Sequence, residues 1–168
     1  PRAWYLARYV LERTYRFDGP MADYGPESND IPWCFVPEHK VTVEDVRYLL
    51  VSHYQGTPYD PYDLRSPERG RYRVIGVPNS DVCGILQIRG NMPGPLQGIH
   101  WYSLGGSGFT ACFPFYAAVS AMPDYIGKTE ETVDTNRMYW QSRLIAALTD
   151  AHMNGVIHAE RYDDAGFN

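Results

Sequence analysis

Residues 82–106 read VCGILQIRGNMPGPLQGIHWYSLGG, and this stretch decides the fold. Two runs of strand-forming residues flank a linker, Gly90 to Gly98, that holds three Gly and two Pro. In the first run Val82, Gly84, Leu86 and Ile88 face one way, and Cys83, Ile85, Gln87 and Arg89 the other. In the second, Ile99, Trp101 and Ser103 alternate with His100, Tyr102 and Leu104. Period-two alternation bounded by Gly and Pro predicts an antiparallel pair. The linker is too long for a two-residue turn, so it does not set the register. Both faces are largely apolar, which predicts a central pair covered on both sides.

Working outward, the segments before this pair read as helix and loop. Arg2 to Tyr15 carries Trp4, Ala7, Leu11 and Tyr15 at helical spacing, with Arg8, Glu12 and Arg13 turned away, so an amphipathic helix is predicted. Phe17 to Val41 has no periodicity and reads as loop. Thr42 suits an N-cap, and Glu44 and Asp45 suit the first turn of a helix. Val43, Val46, Leu49, Leu50 and His53 continue it to about Tyr54. Gln55 to Gly70 is loop, and Tyr72 to Val77 (YRVIGV) is a short strand candidate ended by Pro78 and Asn79. After the pair, Gly105 to Gly108 is a turn; it lacks the GK[ST] ending of a phosphate loop, and no GxGxxG spacing occurs. Ala111 to Val119 is ambiguous between strand and helix. Glu130 to Met153 reads as a long helix with Val133, Trp140, Leu144, Ala147, Leu148 and Ala151 as its apolar stripe. The tail from Asn154 is polar.

At 168 residues the chain is expected to be a single domain, residues 1–168. Its hydrophobic fraction of 44% and charged fraction of 21% are those of an ordinary globular protein. The net charge of −5 argues against a nucleic-acid or anionic-membrane partner. No apolar run approaches about 18–20 residues, so no membrane span is expected. The three cysteines, Cys34, Cys83 and Cys112, are an odd count without CxxC spacing. That disfavours a disulfide framework or a zinc site and points to a reducing, cytoplasmic compartment. The chain opens on Pro1 with no initiator Met or targeting segment, so it is expected to be cut from something longer.

No catalytic set stands out from the residues. His39, His53, His100, His152 and His158 form no HxH or HExxH, and no metal or other cofactor is implied. His53 reads as a packed or capping histidine at the end of a helix. His100, beside Trp101, reads as a hydrogen-bonded core histidine. Cys83 and Cys112 sit in apolar contexts and read as core residues. A Cys–His pair would need the two to meet in space. Asp60 with Asp63, and Glu130 with Glu131, are possible paired carboxylates without a readable spacing. Pro1 could act as a general base through its secondary amine, but enzymes of that kind need a strand, not a helix, at Ala3 to Val10.

The runs VEDVRYLLVSHYQGTPYDPY, YRVIGV, CGILQIRG, IHWYSLGG and FPFYAAV, between about Val43 and Val119, resemble the cysteine dipeptidases of the dipeptidase-A and secernin type. HYQGTPYD, LQIR and IHW are the most specific pieces. The resemblance implies an N-terminal-nucleophile hydrolase: an α+β fold that is an αββα sandwich of two antiparallel sheets covered by helices. The implied chemistry is dipeptide hydrolysis, a form of proteolysis, by an N-terminal cysteine whose own α-amino group is the base. Reference pKa values of about 8.5 for a thiol and about 8 for an α-amine make that pairing workable near neutral pH.

This chain departs from the pattern because Pro1 stands where that cysteine would. It is therefore expected to be the C-terminal portion of a longer dipeptidase-like chain, with its nucleophile in a missing N-terminal part and the isolated piece inactive. No catalytic residue is assigned. His53, Arg89, His100, Trp101 and Arg137 are the candidate substrate-binding residues, being polar or aromatic groups beside the matched motifs or on the closing helix. Expected partners are a dipeptide, the missing part, and a second copy in a homo-oligomer formed over an exposed apolar sheet face. A non-catalytic scaffold of secernin-like type is the alternative function.

Overall fold

The computed structural model describes residues 1–77, 80–104 and 108–152. Pro78, Asn79, most of the Gly105–Gly108 turn, and the tail from Asn154 with His158 lie outside the described residues. The chain packs as two compact units, Pro1–Ile75 and Gly76 onward.

The first unit is built on aromatic side chains. Helix α1, Arg2–Val10, buries Trp4, Tyr5, Ala7 and Val10. Trp4, Ala7 and Leu11 of the predicted stripe are in the core, with Phe17, Leu49 and Tyr54. The helix stops at Val10, because Leu11 caps it and a turn follows that presents the N–H groups of Arg13 and Thr14 to the Glu38 carboxylate. Trp4 Nε1 donates to the carbonyls of Phe17 and Tyr24, which ties the irregular 17–41 segment to the helix. Helix α2, Val43–Val51, opens on the capping box of Thr42 and Asp45. Tyr9 Oη donates to Asp45 Oδ1 at 2.6 Å and so pins α2 to α1.

Helix α2 ends before the predicted Tyr54. Ser52 is extended, its Oγ donating to the Leu49 carbonyl, and Tyr54 sits at φ 66°. A left-handed tyrosine cannot continue a helix. Its ring is nonetheless fully buried, and its hydroxyl donates to the Arg73 carbonyl. That bond bears on YRVIGV, which is not a strand. The Arg73 carbonyl is taken by Tyr54 and the Val74 carbonyl by Arg2 Nη2. With its carbonyls engaged by side chains, the segment serves as a strap across its unit.

The second unit carries the predicted pair. Strand β1, Val82–Ile88, runs antiparallel to β2, Gly98–Leu104, with Val82 opposite Leu104 and Ile88 opposite Gly98. A four-residue helix α3, Gly94–Gln97, fills the linker. The ambiguous segment resolves as strand β3, Phe113–Tyr116, also antiparallel to β2, giving the order β1-β2-β3. Directly opposed residues share a face. Ile85, Gln87, Ile99, Trp101 and Tyr116 therefore lie on one face, and Leu86, His100, Tyr102 and Phe115 on the other.

The expectation of a pair covered on both sides is not met. On the Trp101 face Ile85, Ile99 and Ser103 are buried, but Val82, Leu86 and Ile88 on the His100 face are 51%, 80% and 85% exposed. Helix α3 packs on β2 and β3, and α5 on β2, while β1 is an edge strand.

Helix α4, Asp124–Gly127, packs against α5, Met138–Ala151. The closing helix thus starts eight residues later than predicted. Asp134 accepts from the N–H and the side-chain amide of Asn136, an Asx-type turn that competes with helix. Trp140 Nε1 also pulls the preceding segment back by donating to the Glu130 carbonyl. The shorter helix buries Met138 and Ser142, while Leu144 and Leu148 of the predicted stripe, and Val133 before it, are exposed.

Candidate functional site

Each unit brings one group of candidate residues into a defined setting. In the first, the run Ser52–Asp63 after α2 folds into successive turns. Gly56 takes φ 74°, and Thr57 Oγ1 donates to the Tyr54 carbonyl at 2.7 Å. These turns return Asp60 to His53, with Nδ1 and Oδ1 2.9 Å apart and side chains 4% and 3% exposed. A carboxylate offers only acceptors, so Nδ1 carries the proton in this bond. Asp60 Oδ1 also accepts from the Tyr62 N–H, and the Tyr62 ring meets the imidazole edge-on. His53 is thus not on a helix face but in a buried pair. The His–Asp spacing of seven, bridged by Gly56 and Pro58, was the available signal. The sequence reading instead set Asp60 beside Asp63, which pairs with Arg65.

In the second unit the sheet divides the remaining candidates. Arg89 and Trp101 share one face. Trp101 Nε1 donates to Gln87 Oε1 at 3.1 Å, and the Arg89 guanidinium lies 5.6 Å from the Tyr116 ring centre. His100 is on the opposite face and exposed, rather than in the core. Its ring lies across Gly84: a Cβ there would stand 2.7 Å from His100 Nε2, so a side chain at that point would push the imidazole aside. His100 borders a cleft of about 550 Å³ lined also by Tyr102, Leu104, Phe115, Met122 and Ile126. Arg137 precedes α5, bonded to the Asp124 carbonyl and paired with Asp134. Gln87 and Tyr116, the partners of Trp101 and Arg89, were missed by sequence; the strand alternation held the signal for Gln87.

Pro1 leads directly into α1, so the strand required by the proline-base reading is absent from residues 2–10. Cys34 is exposed and Cys83 and Cys112 are half-buried. Among the described residues no helix is long and apolar enough to cross a membrane.

Peptidase family C69 matches residues 1–164, and the chain belongs to that family. It is 42% identical over 167 residues to a dipeptidase of Bifidobacterium longum, covering 98% of this chain and 31% of that protein. It is 39% identical over 156 residues to a probable dipeptidase A of Streptococcus pyogenes, covering 92% of this chain and 31% of the relative. Dipeptidase A of Lactobacillus helveticus is 33% identical over 156 residues, covering 90% and 31% respectively. The chain spans about a third of the length of the curated relatives it matches.

Proposed function

We propose that this chain is part of a cytoplasmic thiol-dependent dipeptidase. The observation that carries the reading is the 42% identity, over 98% of the chain, to a protein named as a dipeptidase. In the proposed reaction a cysteine thiolate attacks the carbonyl carbon of the peptide bond. The nucleophile's own α-amino group accepts the thiol proton and returns it to the leaving amine. The resulting thioester is then hydrolysed by water. The nucleophile is placed outside these 168 residues, and the chain supplies substrate-side groups, foremost Arg89 and Trp101. The sheet is read as one layer of an αββα sandwich. The exposed Val82, Leu86 and Ile88 support this, since a second layer would cover them.

The test is dipeptide hydrolysis by this chain and by the full-length protein carrying it, each with and without thiol alkylation. Activity confined to the full-length protein and lost on alkylation is the expected result. Turnover by the chain alone, abolished by Cys112→Ala, would overturn the placement of the nucleophile. Inactivity in both would favour a non-catalytic scaffold.

A further inference from the structure

Among the described residues Arg89 has no carboxylate partner. It follows β1, and its backbone N–H extends the hairpin by donating to the Gln97 carbonyl. Its Nη2 donates to the Leu96 carbonyl at 2.6 Å, and the Tyr116 ring flanks the guanidinium. Nε is buried and has no acceptor among the described residues. No Asp or Glu pairs with it there. A guanidinium has five donors in a rigid planar fork, and the Leu96 carbonyl engages only Nη2. A buried donor left unmatched is costly, and a charge taken partly out of water more so. Arg137, by contrast, meets its carboxylate in Asp134.

The surroundings add a second donor. Gln87 lies two residues back on the same face, and Trp101 Nε1 occupies its Oε1. That leaves the Gln87 amide NH₂ to donate. A planar cation edge, a neutral amide donor, and the rings of Trp101 and Tyr116 match a small planar anion carried on an organic body. Among such anions a carboxylate fits the fork two bonds at a time.

We propose that Arg89 is the carboxylate-recognition residue of the site, taking the free C-terminal carboxylate of the substrate with Gln87 as its auxiliary donor. This rests on the dipeptidase reading for the source of the carboxylate. It deepens that reading, because a fork for the terminal carboxylate measures substrate length. A longer peptide offers a neutral amide at that point and leaves the guanidinium unanswered. The rival source is an Asp or Glu side chain from another segment of the polypeptide.

The experiment compares leucyl-alanine with leucyl-alanine amide, using the full-length protein and its Arg89→Met and Arg89→Lys variants. The wild type should favour the free acid by roughly 10- to 100-fold in kcat/KM, as expected for a charge-assisted bond. Arg89→Met should lose that factor on the acid and little on the amide, so that the preference collapses. Arg89→Lys, which keeps the charge without the fork, should fall between. Equal losses on both substrates would overturn the proposal and assign Arg89 to a protein carboxylate. A wild type indifferent to amidation would overturn it as well. Should Arg89→Met not fold by circular dichroism, Arg89→Lys carries the same comparison. Should neither substrate be hydrolysed, the dipeptidase reading fails on its own. Calorimetric binding of the two probes then decides Arg89: acid-selective binding lost in the variant supports it, and equal or absent binding refutes it.

Discussion

Replacing Asp60 tests whether the His53–Asp60 pair organises the first unit. Asp60 Oδ1 accepts from His53 Nδ1 and from the Tyr62 N–H, each at 2.9 Å. Both side chains of the pair are almost wholly buried. Asp60→Ala removes the acceptor shared by the buried imidazole N–H and the half-buried Tyr62 N–H. At about 1–3 kcal/mol for each stranded group, the loss should total about 3–5 kcal/mol, the range for breaking a buried pair from one side. Asp60→Asn keeps a carbonyl oxygen in place and gives up only the charge, so about 1–2 kcal/mol is expected. The assay is urea unfolding followed by tryptophan fluorescence, with Trp4 reporting from the same core. The midpoint should fall in the order wild type, Asp60→Asn, Asp60→Ala, at constant slope. An Asp60→Ala loss under about 1 kcal/mol, or a larger loss for Asp60→Asn, would refute the reasoning.

Three further predictions concern other parts of the chain. Burial alone would raise the Glu38 carboxyl, but the Thr14 hydroxyl and the N–H groups of Arg13 and Thr14 outweigh it and hold it below the ordinary carboxylate range. A depressed folded pKa stabilises above the unfolded value, about 4.3, and that contribution disappears as pH falls through the folded value. Glu38→Gln should therefore flatten the acid limb of a melting-temperature profile below about pH 4, and an unchanged limb counts against the bond. Gly84→Ala should leave stability within about 1 kcal/mol, because the atom it strikes is the free end of an exposed side chain. It should instead displace the His100 ring from Tyr102, read as a shift of the imidazole proton resonances; unmoved resonances would contradict the stacking. Leu86→Lys with Ile88→Lys should suppress self-association in sedimentation at high concentration, and association that persists unchanged would show that the open sheet face does not drive it.

What was legible in the sequence was whatever a single segment decides. The β1–β2 pair came from alternation between Val82 and Leu104, and α2 from Thr42 with its acidic first turn. What was lost depended on distant partners. YRVIGV has strand composition, but Tyr54 and Arg2 claim its carbonyls from 19 and 72 residues away. The late start of α5 follows from an Asp134–Asn136 turn inside an apolar pattern that helical periodicity overran. Apolar alternation on both faces of β1 was correctly seen but not its exposure, since composition does not say what covers a face. Among the candidate residues, alternation already separated His100 from Trp101, while the side on which Arg89 falls needed the register. The carboxylate beside His53, and the lack of one beside Arg89 among the described residues, needed coordinates.

The reach of the hydrogen bonds around α1 has a consequence for the order of events in folding. Tyr5 bonds to Tyr48 and Gln55, and Arg2 to Val74, whereas every pairing in the β1-β2-β3 meander joins neighbouring strands. Loop closure over such spans slows the search, while hairpins close within microseconds. Although α1 leaves the ribosome before the sheet, it cannot bury Trp4 and Tyr5 until residues up to the mid-seventies have been made. During that interval its aromatic face is open to chaperones and proteases, and the sheet translated afterwards closes sooner after its own synthesis than the helix that preceded it.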